Sequence, residues 1–263
     1  MDLLSMDLLI KALVGLFVGT LIGMTGVGGG VLLLPILIFG LHVPAMRAVG
    51  SDALFNFVTK IGASIVHLRK GTVRRKVVVA LIIGSAPGSF VGVRLLVHLR
   101  NLYGNGVNHF ITIAVGALLI VIPTFLFFQK KIEDRVPVAI VKPPTVSSFV
   151  GMSAIGLVAG FLVGITSVGS GSIIMMMLLL FFSFPPKVMV GTDIVHALLL
   201  TGVTSLLHMF ARNVDFRLVG ALVLGSIPGG LLGSYLSTRV PVPWLRRILC
   251  AVLLATGARM LIS

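Results

Sequence analysis

The chain is 263 residues long, 57% apolar and 11% charged, with a mean hydropathy of +1.15. A soluble domain is about half apolar and a quarter charged, so this composition excludes a water-soluble globular protein and points to an integral membrane protein. The formal net charge of +14 raises nucleic acid as a partner, but most Lys and Arg residues stand in short links between apolar blocks, where the positive-inside rule accounts for them.

The N-terminus carries Asp2, Asp7 and Lys11, and no small-residue cleavage site follows a short apolar stretch. The first apolar segment is therefore expected to be retained as a helix rather than removed as a signal peptide. In chain order the apolar blocks fall at about 8–24, 28–41, 50–68, 76–97 and 108–128, then at 148–165, 169–184, 190–210, 217–237 and 245–262. A helical crossing needs roughly 20 residues, and the first two blocks of each half fall short of it. Each such pair reads either as a full span plus a re-entrant half-helix or as two thin, tilted spans. The polar stretch FQKKIEDRVPVAIVKPPTVSS, with Pro143 and Pro144, reads as a linker between two halves. The expected organisation is a first transmembrane repeat over 1–128, a cytoplasmic linker over 129–147 and a second repeat over 148–263. Cys250 is the only cysteine, which excludes an intrachain disulfide or a cysteine-rich metal site.

The second half restates the first at one fixed offset, with no gap needed from Gly15 through Gly92. Gly15, Gly19 and Gly23 meet Gly156, Gly160 and Gly164, and Thr25, Gly28 and Gly30 meet Thr166, Gly169 and Gly171. Pro44, Gly50, Asp52 and His67 meet Pro185, Gly191, Asp193 and His208, and GSAPG (84–88) meets GSIPG (225–229). Shared composition would hardly match two aspartates and two histidines as well as glycines, so the chain reads as two related halves. An odd number of side changes per half sets them in opposite orientations. The basic link LRKGTVRRK (68–76) against the weaker MFARNVDFR (209–217) agrees with this. Alternation gathers most Lys and Arg on the side that holds the 129–147 linker. That side is expected to face the cytoplasm of a multi-pass protein in the cell inner (plasma) membrane, with both termini outside. The fold expected is all-α and polytopic, with two inverted-topology repeats of about five helical segments each, broken or re-entrant helices included.

The run GMTGVGGGV (23–31) could in principle cradle a nucleotide, but no lysine follows the glycines and the flanks are apolar helices rather than a strand–turn–helix unit. A plain turn remains open. The other reading is a broken helix whose exposed N–H groups and positive end face a small anion. Its duplicate, ITSVGSGS (165–172), adds hydroxyls. The candidate substrate-binding residues here are Thr25, Gly26, Gly28, Gly29 and Gly30 in the first break and Thr166, Ser167, Gly169, Ser170 and Gly171 in the second. Gly15, Gly19, Gly23 and their counterparts, spaced by four, read as close-packing surfaces between helices.

In the third segment Asp52, Asn56, Lys60, Ser64 and His67 line one helix face; the eighth has Asp193, Ala197, Thr201, Ser205 and His208. Charges inside a span are functional hypotheses by default. Lys60, with Asn56 and Thr201, joins the candidate substrate-binding set, either attracting an anion or pairing with an aspartate. Asp52, Asp193, His67 and His208 are candidate proton-coupling residues, with helix capping as the competing reading for the aspartates and carbonyl or headgroup contacts for the histidines. His42, His98, His109 and His196 form no metal-like cluster, and neither a metal nor another cofactor is expected.

These motifs resemble the TauE/SafE family of membrane transporters, often called sulfite exporters. The resemblance rests on GLFVGTLIGMTGVGGGVLLLPIL, GSDALFNFVTKIGASIVHLRKGTV and GSAPGSFVG, and again on GLVAGFLVGITSVGSGS, GTDIVHALLLTGVTSLLHMFARNVDF and GSIPGGLLGSYL. It implies a carrier of small anions such as sulfite, organosulfonates or related sulfur compounds, with the regions around Gly26–Gly30 and Ser167–Ser172 flanking transport. No ATP-binding motif is present, so the driving force expected is the substrate or an ion gradient, with a proton as co-substrate. The partners expected are thus the lipid bilayer, a small anion and a proton. The alternatives are a membrane enzyme, a structural subunit or a carrier of an unrelated solute.

Overall fold

Helix boundaries in this chain are set by proline, glycine and short polar links between long apolar runs. The computed structural model describes residues 3–25, 29–133, 146–181, 186–236 and 242–262. Among these the secondary structure is helical throughout: α1 (Leu3–Thr25), α2 (Gly29–Pro35), α3 (Ala45–Arg69), α4 (Arg75–Tyr103), α5 (Val107–Glu133), α6 (Val146–Thr166), α7 (Ser172–Phe181), α8 (Pro186–Phe210), α9 (Phe216–Leu236) and α10 (Val242–Ile262). Five stretches are long and apolar enough to cross a membrane: Met6–Met24, Arg75–Phe125 (which holds α4 and most of α5), Phe149–Thr166, Val188–Phe210 and Phe216–Gly233. The protein is an all-α, polytopic membrane protein.

The second segment of each half is short. α2 has 7 residues and passes at Pro35 into a π-helical turn of 5 residues, Ile36–Gly40; α7 has 10. Proline has no N–H to give the preceding turn, which favours the switch to wider π spacing. Residues 26–28, which hold Gly26 and Gly28, and most of the 129–147 linker lie outside the described residues.

Two long helix pairs frame the molecule, α1 along α9 and α4 along α6. Their closeness comes from glycine. A Cβ on Gly15 or Gly19 would overlap the backbone of Leu222 or Ser226, and one on Gly225, Gly229 or Gly233 would overlap Ala12, Leu16 or Thr20. The α4–α6 pair makes the same contacts at the repeat-related positions: Gly156, Gly160 and Gly164 lie on Leu81, Ser85 and Ser89, and Gly84, Gly88 and Gly92 on Ser153, Leu157 and Phe161. The close-packing role expected of these glycines is the one observed. GSAPG and GSIPG belong to these seams too, and α4 and α9 run on through Pro87 and Pro228. α5 and α10 meet across Gly116 and Gly257, a further pair at the same offset.

The loops follow the pattern as well. Arg74 N donates to Thr192 Oγ1 at 3.0 Å, and Asp215 N to Ser51 Oγ at 3.0 Å. The shared core includes Val18, Leu33, Leu37, Phe55, Leu81 and Ile174, all fully buried, whereas Phe17, Leu102, Leu224 and Leu231 stand exposed on the outer surface, where lipid covers them in a bilayer.

Replacing Gly84 with Val places side-chain carbon on the Ser153 carbonyl and is expected to destabilise the fold by about 3 kcal/mol. Gly220, which has open space around it, should accept Ala with a gain of up to about 1 kcal/mol. Thermal melting of the detergent-purified variants, followed by size exclusion, measures the contrast.

Candidate functional site

The second helix break is wired from within, because it is buried among the helices and its backbone has no water to bond. α6 ends at Thr166, whose hydroxyl donates to Leu162 O at 2.7 Å and accepts Val168 N–H at 3.2 Å. Ser167 N still donates to Val163 O at 2.7 Å, after which the chain turns through Ser167 at φ +56° and Gly169 at φ +89°. α7 then starts, with Ile173 N bonded to Gly169 O at 3.1 Å and Met175 N to Gly171 O at 2.8 Å. Gly169 is required by its positive φ and by Ile173, which occupies the place of a Cβ.

α3 brings its polar face against this break. Asp52 Oδ2 accepts a hydrogen bond from Ser167 Oγ at 2.7 Å and another from Asn56 Nδ2 at 2.9 Å. Asn56 Oδ1 accepts from Lys60 Nζ at 3.0 Å, and Lys60 Nζ reaches Ser170 Oγ at 3.4 Å. The i, i+4 spacing of Asp52, Asn56 and Lys60 stacks the three groups on successive turns of one face. The link from ammonium to carboxylate is thus relayed by an amide and closed through two serines of the break. Asp52, Asn56, Ser167 and Ser170 are all at most 3% exposed.

The first break meets the same cluster. A Cβ on Gly30 would stand 2.7 Å from Asp52 Oδ2 and 3.0 Å from Ser167 O, and one on Gly29 would stand 3.0 Å from Asn56 Oδ1. Gly29 and Gly30 are glycines because polar groups of α3 and of the second break occupy that space. Across the site a Cβ on Gly171 would lie 3.1 Å from Asp193 Oδ2. Each aspartate therefore abuts the start of one short helix, Asp52 that of α2 and Asp193 that of α7, and Lys60 is attracted electrostatically by both. Four buried polar atoms have no partner among the described residues: Asp52 Oδ1, Asp193 Oδ1, Ser172 Oγ and His196 Nδ1.

Other expected residues go elsewhere. Thr201 Oγ1 donates to Ala197 O of its own helix at 2.7 Å. His208 Nε2 contacts Gly164 O at 3.1 Å and its Nδ1 contacts Asn213 Nδ2 at 3.4 Å; His67 Nδ1 contacts Thr72 Oγ1 at 2.9 Å. Both histidines tie helix ends to loops or to α6 and stand apart from the Asp52–Lys60 relay. Capping does not describe the aspartates: α3 starts at Ala45 and α8 at Pro186, so Asp52 and Asp193 lie well inside their helices. Gly26, Gly28 and the side chain of Thr25 lie outside the described residues. Sequence reasoning missed His196, fully buried, whose Nε2 lies 2.9 Å from Ser85 Oγ, and the neighbouring Ser89–Thr204 pair at 2.7 Å. No sequence signal pairs α8 with α4. Among the described residues no group of three His, Cys, Asp or Glu could hold a metal ion.

The model of the family described as "Sulfite exporter TauE/SafE" matches residues 11–260. The chain belongs to the TauE/SafE family. Curated relatives from Bacillus subtilis (strain 168) are similar over nearly the whole of this TauE/SafE chain. The probable membrane transporter protein YjnA is 37% identical over 257 residues, covering 95% of this chain and 98% of its own. The probable membrane transporter protein YunE is 28% identical over 275 residues, covering 97% and 98%. No solved structure matches the chain significantly. The family is one of membrane transporters rather than enzymes, and in this TauE/SafE member the relay joins buried Asp52, Asn56, Ser167 and Ser170 to the part-buried Lys60.

Two substitutions at Ser167 separate its roles. Both Ser167→Ala and Ser167→Gly remove the bond to Asp52, but only Gly relieves the positive φ. The Gly variant is expected to melt higher than the Ala variant, by about 1 kcal/mol in stability.

Proposed function

We propose that this protein is a secondary carrier of a small anion, of the class of sulfite, an organosulfonate or a related sulfur-containing anion, working by alternating access between two inverted halves. The observation that carries the reading is Lys60, a part-buried lysine on α3 whose ammonium hydrogen-bonds an amide and a serine of the second break. Holding a charge there is costly, and a solute pathway is the usual reason for it.

The anion would take its donors from Lys60, Asn56 and the hydroxyls and backbone N–H groups of the two breaks. The binding set is Thr25, Gly26, Gly28, Gly29 and Gly30 with Thr166, Ser167, Gly169, Ser170 and Gly171, and Thr201, which holds the place of Lys60 in the second half. The positive end of α7 supports an anion at that place. The contacts that recur between the halves at one fixed offset support two exchangeable arrangements of one frame. A proton is the proposed co-substrate, held among Asp52, Asp193, His67 and His208. The carrier sits in the cell inner (plasma) membrane with the 129–147 linker on the cytoplasmic side, where the Lys and Arg excess lies.

The test is flux into liposomes holding the purified protein. Sulfite or a small alkanesulfonate should cross only with the protein present. Lys60→Met and Asp52→Asn should each cut that flux by about ten-fold or more, with the size-exclusion profile kept, because each removes a charge-assisted contact. Unchanged flux in both variants would return the relay to a packing role.

A further inference from the structure

We propose that the two aspartates divide the work: Asp193 carries the coupling proton, while Asp52 stays ionised as the fixed counter-charge of Lys60. The proposal rests on the anion-carrier reading above and assigns its coupling step. The aspartates hold corresponding places in the two halves, each against the start of a short helix. Their hydrogen-bond donors differ. Asp52 Oδ2 accepts from Ser167 Oγ and from Asn56 Nδ2, and bonds donated to a carboxylate favour its charged form. The residues at the corresponding positions for Asp193 are Gly26 and Ala197, neither of which has a side-chain donor. Asp193 is 6% exposed; Oδ1 of both aspartates lacks a partner among the described residues, so the difference lies in the two side-chain donors to Asp52 Oδ2. A buried carboxylate with no side-chain donor among the described residues is costly as an anion, and a proton removes that cost.

The surrounding charges turn this difference into coupling. The elements packed on α8 are α3, α4, α6, α7 and the loop before α9. α3 contributes Lys60 and Asp52, and at its end His67, whose ring lies beside Gly191. The link to α4 contributes Arg74, whose N–H bonds Thr192. α4 itself carries Arg75, Lys76, Arg94, His98 and Arg100, and the loop before α9 carries Arg212 and Asp215. α6 and α7 contain no titratable residue, and α8 itself adds Lys187, His196 and His208. The charged groups of the site are then one ammonium, that of Lys60, and two carboxylates, those of Asp52 and Asp193, with which it interacts electrostatically. With Asp193 ionised the set is net negative and repels an anion; with Asp193 protonated it is neutral, and Lys60 is free to hold one. Anion and proton therefore favour each other's binding and move together, one to one. The proton comes from water on the loading side, joins the Asp193 carboxylate and is released to water on the other side.

Methanesulfonate is the probe of choice, because its own acid does not titrate near neutral pH, with sulfite alongside. In proteoliposomes made acid outside, electroneutral symport is expected to concentrate methanesulfonate inside by about ten-fold per pH unit. Asp193→Asn should abolish the response to the gradient, and Asp193→Glu should restore part of it. A gradient response that persists in Asp193→Asn overturns the proposal, as does its loss in Asp52→Asn alone with flux retained. An independent readout needs no substrate: the infrared carbonyl band of a protonated carboxyl in the purified protein near neutral pH. It is expected to vanish in Asp193→Asn and remain in Asp52→Asn, and its absence from the unmutated protein, or the reverse pattern, overturns the assignment. If the band behaves as expected while the unmutated protein moves neither anion, the proton site stands and the anion-carrier reading falls.

Discussion

A bilayer offers no hydrogen bonds, and that constraint governs this structure. A helix broken at membrane depth frees N–H and C=O groups that protein alone must satisfy. The second break meets this with its own Thr166 hydroxyl, bonded to Leu162 O and Val168 N–H, while the Ser167 hydroxyl it presents is taken up by Asp52. The break can therefore exist only where α3 lies, and α3 can keep Asp52 and Asn56 dry only because the break covers them. Backbone irregularity and buried charge are usually separate costs; here each is the other's partner.

Holding two such elements together requires a frame that does not slide. The α1–α9 and α4–α6 seams provide it through backbone contact at successive glycines, which gives close dispersion contact without side-chain entropy to lose. On this repeated frame the lateral seams differ. α4 is tied to α8 by the Ser85–His196 and Ser89–Thr204 bonds. At the corresponding places between α9 and α3 stand Ser226 with Phe55, and Gly230 with Ala63. Ser226, Gly230 and Ala63 instead border a cleft of about 430 Å³ beside Gly19, Thr59 and Gly62. One seam is bonded by two polar pairs and the other borders a cleft, because the residues at the corresponding places, Phe55 opposite Ser226 and Ala63 opposite Gly230, do not supply such side-chain pairs.

The sequence carried the segments and the glycine seams well, since hydropathy and spacing are local properties. It carried the partners poorly. The spacing of Gly15 and Gly19 announces a close neighbour but cannot say that the neighbour is α9, and the Asp52–Ser167 bond joins residues 115 positions apart. The capping reading of Asp52 failed for a related reason. Pro44 and Arg47 look like a link, so the helix was expected to begin near Gly50. In fact Ala45, Met46, Ala48 and Val49 are buried while Arg47 is exposed, which makes that stretch the first turn of α3. One outward-facing arginine on an amphipathic turn lowers local hydropathy without ending a helix.

The relay itself explains why Asn56 stands between two charges that could have met. A direct Asp–Lys contact would bind the ammonium tightly and leave it little to offer a passing solute. Through Asn56 the attraction still offsets the cost of holding Lys60 in a part-buried place, yet among the described residues its ammonium makes two hydrogen bonds of the three it can donate. A carrier needs a site that binds and also lets go, and so must hold its charge in place without satisfying it. The amide bridge meets both demands. The second half, with Ala197 and Thr201 at the corresponding positions, has neither bridge nor ammonium, so the positive charge of the pair of breaks is supplied once and shared. In the proposed mechanism that single charge is what makes the proton on the second aspartate matter.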